Sequence, residues 1–511
     1  MVPVKEKDMK PVGYKAAEKV LSIETVPHFR YSYLSAKGQR KTVIEDGQEL
    51  HIYPSQYNPG ESVIDQLVFA LKYDGVNLEI LKTVFEKLGP GAVRQYVKSH
   101  PVSKYARVLW YLYEFLTGER LKLPDVSAGN YVEILDKEVY FTDYPLRSRR
   151  HRVVDNMLGV RDFCPTVRKT DKLQVFILKD LSDEAKKLIA KYPAEVVRKA
   201  TQYLYTKETL TSFNIEREKP SPKRAAKFIN MLQNAAMTQK LGKELLIEVQ
   251  NAVVDERFAM SGYRSTQNYI GESVGTRRIV HYVAPLHEDV GGMMSGLFES
   301  SRRMSGIVDP VVYAAAVSFA LIYIHPFDDG NGRVHRYVIH HILKQEGFTP
   351  DGTIFPVSAT MLANLQNYDK CLETFSKKIM SLLDFTIDER GEITVKNKTA
   401  DHYRYMDLTH AAEYLYETVE GTIKKEFVEE LDFLVQRSHA VKAMRDVVDM
   451  PDKLIDLFIK TALEQNGHIS KAKKKSVFHM LKDSEVDALE EIVRNSFKRP
   501  HATQKPLISR V

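Results

Sequence analysis

Cysteine is nearly absent from this sequence, whose 511 residues include only Cys164 and Cys371. Two cysteines so far apart in the chain do not form the disulfide framework on which small secreted domains depend. The first seven residues, Met-Val-Pro-Val-Lys-Glu-Lys, lack the apolar segment of a signal peptide. No apolar run approaches the roughly 20 residues of a membrane helix. We therefore expect a soluble, cytoplasmic protein that does not associate with a membrane.

Three motifs for nucleotide or metal chemistry are also missing. No Gly-x-x-x-x-Gly-Lys-(Ser/Thr) segment occurs, which excludes a P-loop, and no His-Glu-x-x-His occurs, which excludes that type of zinc site. The segment Gly330-x-Gly332-x-x-His335 lacks the third glycine of a dinucleotide fingerprint and follows a helix-like run instead of a strand. A Rossmann-type site is therefore not expected.

The composition itself is ordinary. Hydrophobic residues make up 43% and charged residues 28% of the chain, as in globular proteins generally. A net charge of +7 over this length does not by itself indicate a nucleic-acid partner. The length predicts about three or four domains, and no internal repeat divides it.

The most informative stretch is His325-Pro-Phe-Asp-Asp-Gly-Asn-Gly-Arg-Val-His-Arg336. It lies between an uncharged apolar run at 311–324 and a second apolar-patterned run at 337–343, which predicts two buried helices joined by a polar loop. Gly330 and Gly332 permit positive φ and the close approach of a ligand. The N–H groups that open the second helix would point into this loop. The segment therefore predicts an anion site.

The side chains of the loop suit phosphate chemistry. Arg333 and Arg336 are three residues apart and share one helical face, where two guanidinium groups can bind two phosphates. Asp329 is a hard oxygen ligand that suits Mg²⁺. His325 has a pKa suited to a general base. Together these residues indicate phosphoryl or nucleotidyl transfer.

The same segment resembles the signature of the Fic family, His-Pro-Phe-x-(Asp/Glu)-Gly-Asn-Gly-Arg-x-x-Arg, at every specified position. The resemblance implies that a histidine deprotonates a protein hydroxyl, which attacks the α-phosphate of ATP. AMP is then transferred and pyrophosphate leaves. The resemblance covers the catalytic segment fully and the flanking quarters of the chain hardly at all.

The resemblance also implies a role for each matching residue. His325 would be the base and Asp329 would hold Mg²⁺, while Arg333 would bind the β-phosphate and Arg336 the γ-phosphate. The segment Asn364–Tyr368 resembles an Asn-x-x-x-Tyr segment near the adenine in relatives, and an amphipathic helix with a core tyrosine is the alternative. The full predicted nucleotide-binding set is Phe327, Gly330, Asn331, Gly332, Arg333, Arg336, Asn364 and Tyr368.

A second stretch, Thr211-Ser-Phe-Asn-Ile-Glu-Arg217, resembles the inhibitory motif of the family, (Ser/Thr)-x-x-x-Glu-(Gly/Asn). Ser212 and Glu216 are four residues apart and share a helical face. A Glu216 carboxylate paired with Arg336 would occupy the guanidinium that should orient the γ-phosphate. Arg217 replaces the usual Gly or Asn, so the motif does not define how the helix ends. An ordinary surface helix is the alternative.

Family members carry a β-hairpin flap that docks the target chain by strand addition. Residues 276–284 are extended in pattern and are the candidate here, with a purely structural hairpin as the alternative. Two amphipathic helices are predicted before it, at Lys223–Ala236 and Lys243–Val254. The run Tyr131–Thr142 alternates like a further hairpin.

These patterns predict a mostly α fold in which a Fic-type helical core with a β-hairpin flap is flanked by two modules. The N-terminal module is helical with a small β element, and the C-terminal module is helical, with a winged helix as an alternative. The predicted divisions are an N-terminal module at 1–170, a linker and inhibitory helix at 171–219, a catalytic domain at 220–395 and a C-terminal module at 396–511.

The predicted function is AMP transfer from Mg²⁺-ATP to Ser, Thr or Tyr hydroxyls of a target protein and of the chain itself, with inhibition by Glu216. Removal of AMP from modified proteins, use of another nucleotide, and a non-catalytic ATP-sensing regulator remain alternatives. The basic run at 471–475 suits nucleic acid, or is a solvated helix face. A homo-oligomer is compatible with the sequence, which does not decide the oligomeric state.

Overall fold

The computed structural model describes residues 9–36, 39–45, 47–235, 240–275 and 277–497. Three parts of the sequence predictions lie outside these ranges. They are Ala236 at the end of the first amphipathic helix, flap residue 276, and residues 498–511 of the C-terminal module. The helices are α1 (Tyr14–Leu21), α2 (Val63–Tyr73), α3 (Leu78–Ser99), α4 (Lys104–Thr117), α5 (Asp171–Lys179), α6 (Leu181–Ile189), α7 (Ala194–Ile215), α8 (Pro222–Gln233), α9 (Lys243–Val253), α10 (His287–Met304), α11 (Pro310–Ile324), α12 (Asn331–Gln345), α13 (Val357–Ala363), α14 (Leu365–Met380), α15 (Ala400–Arg404), α16 (Thr409–Gly421), α17 (Val428–Val447), α18 (Asp452–Glu464), α19 (Lys471–Ser476) and α20 (Asp483–Ser496).

The strands are few and short, so the fold is mostly α-helical, as the sequence predicted. They are β1 (Met9–Val12), β2 (Arg30–Ser35), β3 (Lys41–Glu45), β4 (Gln48–Pro54), β5 (Val132–Glu133), β6 (Leu146–Ser148), β7 (Val153–Asp155), β8 (Tyr269–Val274), β9 (Arg277–Val283), β10 (Phe385–Ile387) and β11 (Ile393–Val395).

The central helix is α11, which packs against α10, α12 and α16. Its residues Val311–Ile324 are all buried, as expected for a helix that is apolar on every face. Asp309 caps its first turn by accepting hydrogen bonds from the next N–H groups, and Pro310 occupies the first helical position. The two buried helices predicted around the motif are therefore confirmed, and their shared core fixes the loop between them.

The N-terminal part combines α1–α4 with a sheet in the strand order β1-β2-β4-β3. This sheet is a β element of the kind predicted for the N-terminal module. The hairpin predicted at Tyr131–Thr142 is wrong, because β5 pairs in parallel with β7. The Asp136 carbonyl instead accepts hydrogen bonds from the Val139 and Tyr140 N–H groups, which makes a turn. Apolar side chains of this run, namely Ile134, Leu135 and Tyr140, instead pack into the module core.

The C-terminal part is helical. A π-helical turn, Thr422–Phe427, joins α16 to α17, and α17, α18 and α20 share a small apolar core. The described residues 396–497 contain no strand, so the winged-helix alternative is wrong for that part of the chain and the helical one holds. None of the helices within the described ranges is long and apolar enough to cross a membrane.

Candidate active site

The loop between α11 and α12 has a residue with left-handed backbone conformation at each end. His325 ends α11 with φ 53°, and its N–H still donates to the Leu321 carbonyl at 2.9 Å. Gly330, with φ 89°, precedes α12, and a side chain there would press on Val253 and Val254. The chain therefore reverses within a few residues and opens α12 toward the loop. This is the helix N-terminus predicted for an anion.

The Asn331 side chain stabilises the loop through two hydrogen bonds to the Phe327 backbone. Its Nδ2 donates to the Phe327 carbonyl at 2.7 Å, and its Oδ1 accepts from the Phe327 N–H at 3.0 Å. Both residues are buried. The sequence assigned both to nucleotide binding, whereas in the structure they shape the loop that presents the neighbouring groups.

The imidazole of His325 is arranged to accept a proton. Its Nδ1 lies 3.3 Å from the carbonyl oxygen of Ile322, so Nδ1 must carry the hydrogen and Nε2 the lone pair. The pKa of His325 is lowered to about 4. Burial is the main cause, Arg264 contributes to the lowering, and Asp329 partly opposes it. The ring is therefore neutral at physiological pH, which is the state a general base requires.

Arg264 is a site residue that sequence reasoning missed. Its guanidinium donates to the His325 carbonyl at 2.9 Å, the Thr266 carbonyl at 2.8 Å and the Pro285 carbonyl at 2.5 Å. The side chain is buried, and burial lowers its pKa to about 10, so it stays charged at neutral pH. It joins the catalytic loop to both ends of the β8–β9 hairpin. Its partners are backbone carbonyls from distant segments, which no local pattern reveals.

Arg333 and Arg336 lie on the first turns of α12 and are almost fully buried, with side-chain exposures of 2% and 1%. Arg336 donates from Nη2 to Glu216 Oε1 at 2.7 Å, and from Nε to Ser212 Oγ at 2.8 Å. Burial lowers the pKa of Arg336, but Glu216 together with Tyr368 and Glu208 outweighs burial, so the pKa rises above its ordinary value. The structure thus contains the contact predicted between the inhibitory stretch and the catalytic motif.

Glu216 contacts both arginines. Its Oε2 lies 2.6 Å from Arg333 Nε, while its Oε1 accepts from Arg336. A side chain at position 332 would collide with Oε1, so Gly332 is what lets this carboxylate reach the first turn of α12. An acidic group therefore sits at a helix N-terminus between two arginines, in the position that suits a phosphate.

The end of α7 explains how Glu216 is aimed. Arg217 adopts φ 57°, its N–H donates to Asn214 O at 2.9 Å, and the Glu218 N–H donates to Phe213 O at 3.1 Å. This pair of bonds is a Schellman motif, whose left-handed position is usually Gly or Asn. Arg217 takes the same backbone conformation, so the departure from the family pattern leaves the helix end in its expected form.

Glu218 and Arg224 were also missed. Glu218 Oε2 lies 2.5 Å from Arg333 Nη1, and Glu218 Oε1 lies 2.5 Å from Arg224 Nη1. Both arginines also donate to the Val253 carbonyl. Glu218 follows the last position of the inhibitory motif, and Arg224 lies in the next helix, so the family pattern names neither residue.

Asp329 has the chemistry of a magnesium ligand. Its Oδ1 accepts from the Gly330 N–H at 2.6 Å and from Arg333 Nη2 at 3.0 Å, and its side chain is half exposed. The described residues contain no cluster of three or more His, Cys, Asp or Glu that could hold a metal alone. One carboxylate fits Mg²⁺ that is bound mainly by substrate phosphates and water.

Tyr368 and Asn364 have different environments. The Tyr368 side chain is buried beside Arg336, and its ring stacks on His335 with centroids 6.3 Å apart. Burial raises the pKa of Tyr368 to about 12. Asn364 is exposed between α13 and α14, and its Nδ2 lies 3.5 Å from the Thr360 carbonyl. The structure therefore brings Tyr368 to the arginine pair, while Asn364 contacts its own helical segment.

The predicted hairpin is present as the antiparallel pair β8 and β9. The exposed side chains of Ile270 and Ile279 lie on it. The Tyr403 hydroxyl donates to the Val283 carbonyl at 2.6 Å, and Arg264 holds the Pro285 carbonyl, so the base of the hairpin is fixed to the core. Docking of a target chain along it stays a prediction.

Comparison with known proteins identifies the middle of the chain. A model of the Fic/DOC family matches residues 240–343. The "Protein adenylyltransferase Fic" of Nematostella vectensis is 32% identical over 108 residues, which are 20% of this chain and 23% of that protein. The protein of the same name from Drosophila grimshawi is 33% identical over 123 residues, 23% of each chain. The matched part is thus about a quarter of the length of these relatives.

A solved structure of a Fic family protein from Desulfovibrio desulfuricans G20 aligns with 64% of this chain and 87% of its own, at 17% identity and a TM-score of 0.36. The family match covers the loop, the arginine pair and the β8–β9 hairpin described above. The chain therefore contains a Fic/DOC family domain at residues 240–343.

Proposed function

We propose that the chain is a protein adenylyltransferase that moves AMP from ATP to a Ser, Thr or Tyr hydroxyl of a target protein and of itself, and that Glu216 restrains it. The observation that carries the proposal is one carboxylate held by Arg333 and Arg336 at a helix N-terminus, beside a neutral His325. Such an arrangement suits a bound phosphate chain. The names of the relatives support AMP as the transferred group.

The proposed reaction is a substitution at the α-phosphorus of ATP. The target hydroxyl oxygen forms a bond to this phosphorus while its proton passes to His325 Nε2. The bond between the α-phosphorus and the bridging oxygen breaks, and pyrophosphate leaves. Arg333 and Arg336 hold the departing phosphates, and the α12 N-terminus favours their negative charge. The chain therefore contributes a base and an electrostatic cradle.

Two further groups complete the proposal. Asp329 would hold Mg²⁺, which offsets charge on the phosphates when it is bound. The target chain would add as a strand to the β8–β9 hairpin, whose base Arg264 ties to His325. Glu216 opposes this arrangement, because its pairing with Arg336 competes with the γ-phosphate.

The test is incubation of the full chain with α-labelled ATP and Mg²⁺, alone and with a cell lysate. We expect label on protein from Glu216→Gly, less from the wild type, and about 10²–10⁴-fold less from Glu216→Gly/His325→Ala. Intact mass should show an added AMP on the chain itself. Binding of ATP without label on any protein would reject transfer and favour an ATP sensor.

A further inference from the structure

Arg333 is surrounded by more negative charge than one inhibitory glutamate supplies. Its Nε lies 2.6 Å from Glu216, its Nη1 2.5 Å from Glu218 and its Nη2 3.0 Å from Asp329. Arg336 depends on Glu216 and on Ser212. Removing Glu216 therefore frees Arg336 from its carboxylate but leaves Arg333 paired with Glu218. The two phosphate-binding arginines have different counter-ions.

The position of Glu218 follows from the helix end. The Schellman turn places the Glu218 N–H on the Phe213 carbonyl, and the left-handed Arg217 reverses the chain between the two glutamates. Glu216 and Glu218 consequently both face α12, while Arg217 is exposed. The same backbone turn that aims the motif glutamate aims the second one.

Arg224 holds Glu218 from the other side. It pairs with Glu218 Oε1 at 2.5 Å and donates to the Val253 carbonyl, to which Arg333 Nη1 also donates at 2.7 Å. The guanidinium carbons of Arg224 and Arg333 both lie 5.1 Å from the centre of the Phe213 ring. Arg224 therefore joins α8, the end of α9 and the end of the inhibitory helix around one carboxylate.

We infer that Glu218, held in place by Arg224, is a second inhibitory carboxylate that acts on Arg333. The inference rests on the proposed function, because the inhibited step is nucleotide binding at these arginines. A phosphate chain that reaches both Arg333 and Arg336 must displace both glutamates. Inhibition is therefore divided between two carboxylates, and removal of Glu216 alone releases it only in part.

The test compares wild type, Glu218→Gln, Glu216→Gly and the double variant. Glutamine keeps the size of the Glu218 side chain and removes its charge. ATP affinity by calorimetry should rise about tenfold in Glu218→Gln, since an ion-paired hydrogen bond is worth at least about 1.4 kcal/mol. It should rise further in the double variant than in Glu216→Gly. Label transfer should follow the same order.

Glu256→Gln is the matched control. Glu256 is exposed and pairs with Lys223 at 2.8 Å, so the same chemical change there should leave ATP affinity at the wild-type value. Thermal unfolding checks that each variant is folded. Arg224→Gln should loosen Glu218 and raise ATP affinity, with little further gain when it is combined with Glu218→Gln.

The outcomes separate the two proposals. Tighter ATP binding by Glu218→Gln without label transfer in any variant rejects the transferase and keeps the second inhibitory carboxylate. Equal ATP affinity in Glu216→Gly and in the folded double variant overturns the role of Glu218. Arg224→Gln is also added to the double variant. If this addition weakens ATP binding, Arg224 contacts the nucleotide, and its role in holding Glu218 is overturned.

Discussion

The left-handed backbone of His325 determines where its imidazole lies. A non-glycine residue in this conformation costs about 1–2 kcal/mol. Arg264 and the end of α11 hold it there, through the His325 carbonyl and N–H respectively. The ring is consequently fixed near buried positive charge, which contributes to its low pKa.

This low pKa predicts the pH dependence of the reaction. The imidazole loses its proton near pH 4, whereas a free histidine does so near pH 6.5. The base should therefore be active across pH 5.5–8, and kcat/KM for Glu216→Gly should stay flat over that range in single-turnover label transfer. A fall to half the plateau near pH 6.5 would contradict the assigned state of His325.

Asp329→Asn tests the magnesium assignment. Asparagine keeps a group that can accept from the Gly330 N–H, but it loses the negative charge that attracts the cation. The variant should require a higher Mg²⁺ concentration for half-maximal transfer and should reach a lower maximum. Asp328→Asn is the control, since that exposed carboxylate is the neighbour of Asp329 in the motif. Equal Mg²⁺ titrations for the two variants would remove Asp329 from the site.

Glu216→Gly should raise AMP transfer by about 10–100-fold, because a hydrogen bond between charged groups is worth about 1.5–3 kcal/mol. The gain depends on a free Arg336, so Glu216→Gly/Arg336→Ala should show none. Asn214→Gly is the control for loosening of α7, since Asn214 is exposed on the same helix. Unchanged transfer by Glu216→Gly, with the variant folded, would end the inhibitory assignment.

At the scale of the helix, the inhibitory segment is held along its length. Glu208 on α7 lies 2.8 Å from His340 Nε2 on α12 and accepts from the Ser358 N–H at 2.9 Å. Lys207 on the same helix pairs with Glu426 of the π-helical turn at 2.7 Å. The helix therefore bridges the motif helix and the C-terminal helices, and the turn that follows it carries the two glutamates.

Arg217→Gly should stabilise the protein without activating it. Glycine removes about 1–2 kcal/mol of left-handed strain but adds unfolded-state entropy worth about 0.4–1 kcal/mol. The net gain of about 0.5–1 kcal/mol should appear in thermal unfolding as a Tm of the variant above that of the wild-type protein. Arg217→Ala, which keeps the strain, should not raise Tm. A rise in AMP transfer by Arg217→Gly would show that Arg217 itself contributes to inhibition.

At the scale of the whole molecule, buried histidines set the response to acid. Burial lowers the pKa of His335 to about 3 and that of four others to about 4, namely His28, His151, His325 and His341. Their unfolded pKa is about 6.5, so below that pH the unfolded chain binds protons that the fold excludes. Stability from these five groups is therefore lost as pH falls from 6.5 toward 4.

Buried acids act in the opposite direction, and in two of them the pKa reaches about 7. Burial raises the pKa of Asp74 and of Glu430 to about 7, so each favours the fold at low pH and loses that contribution as pH rises through 7. Five histidines outweigh two acids, so Tm should be lower at pH 5 than at pH 6.5. Calorimetric scans at both values test this. An equal or higher Tm at pH 5 would mean that these histidines are protonated in the fold.

The sequence by itself determined the features that depend on local order. An uncharged apolar run of this length must be buried, which predicted α11, and the motif at 325–336 predicted a helix N-terminus for an anion. The four-residue spacing of Ser212 and Glu216 predicted that both lie on one helical face, and in the structure both contact Arg336. Each of these predictions needed only chain geometry and the family pattern.

Tertiary structure decided the rest. Glu218, Arg224 and Arg264 act through residues that are distant along the chain or through backbone carbonyls, so no periodicity marks them. The run at 131–142 shows the reverse error, since β5 pairs with the distant strand β7 and the apolar side chains of the run pack into a core built from distant segments. Local pattern encodes which side chains avoid water, whereas the partner of a buried charge depends on which distant segments the fold brings within hydrogen-bond distance.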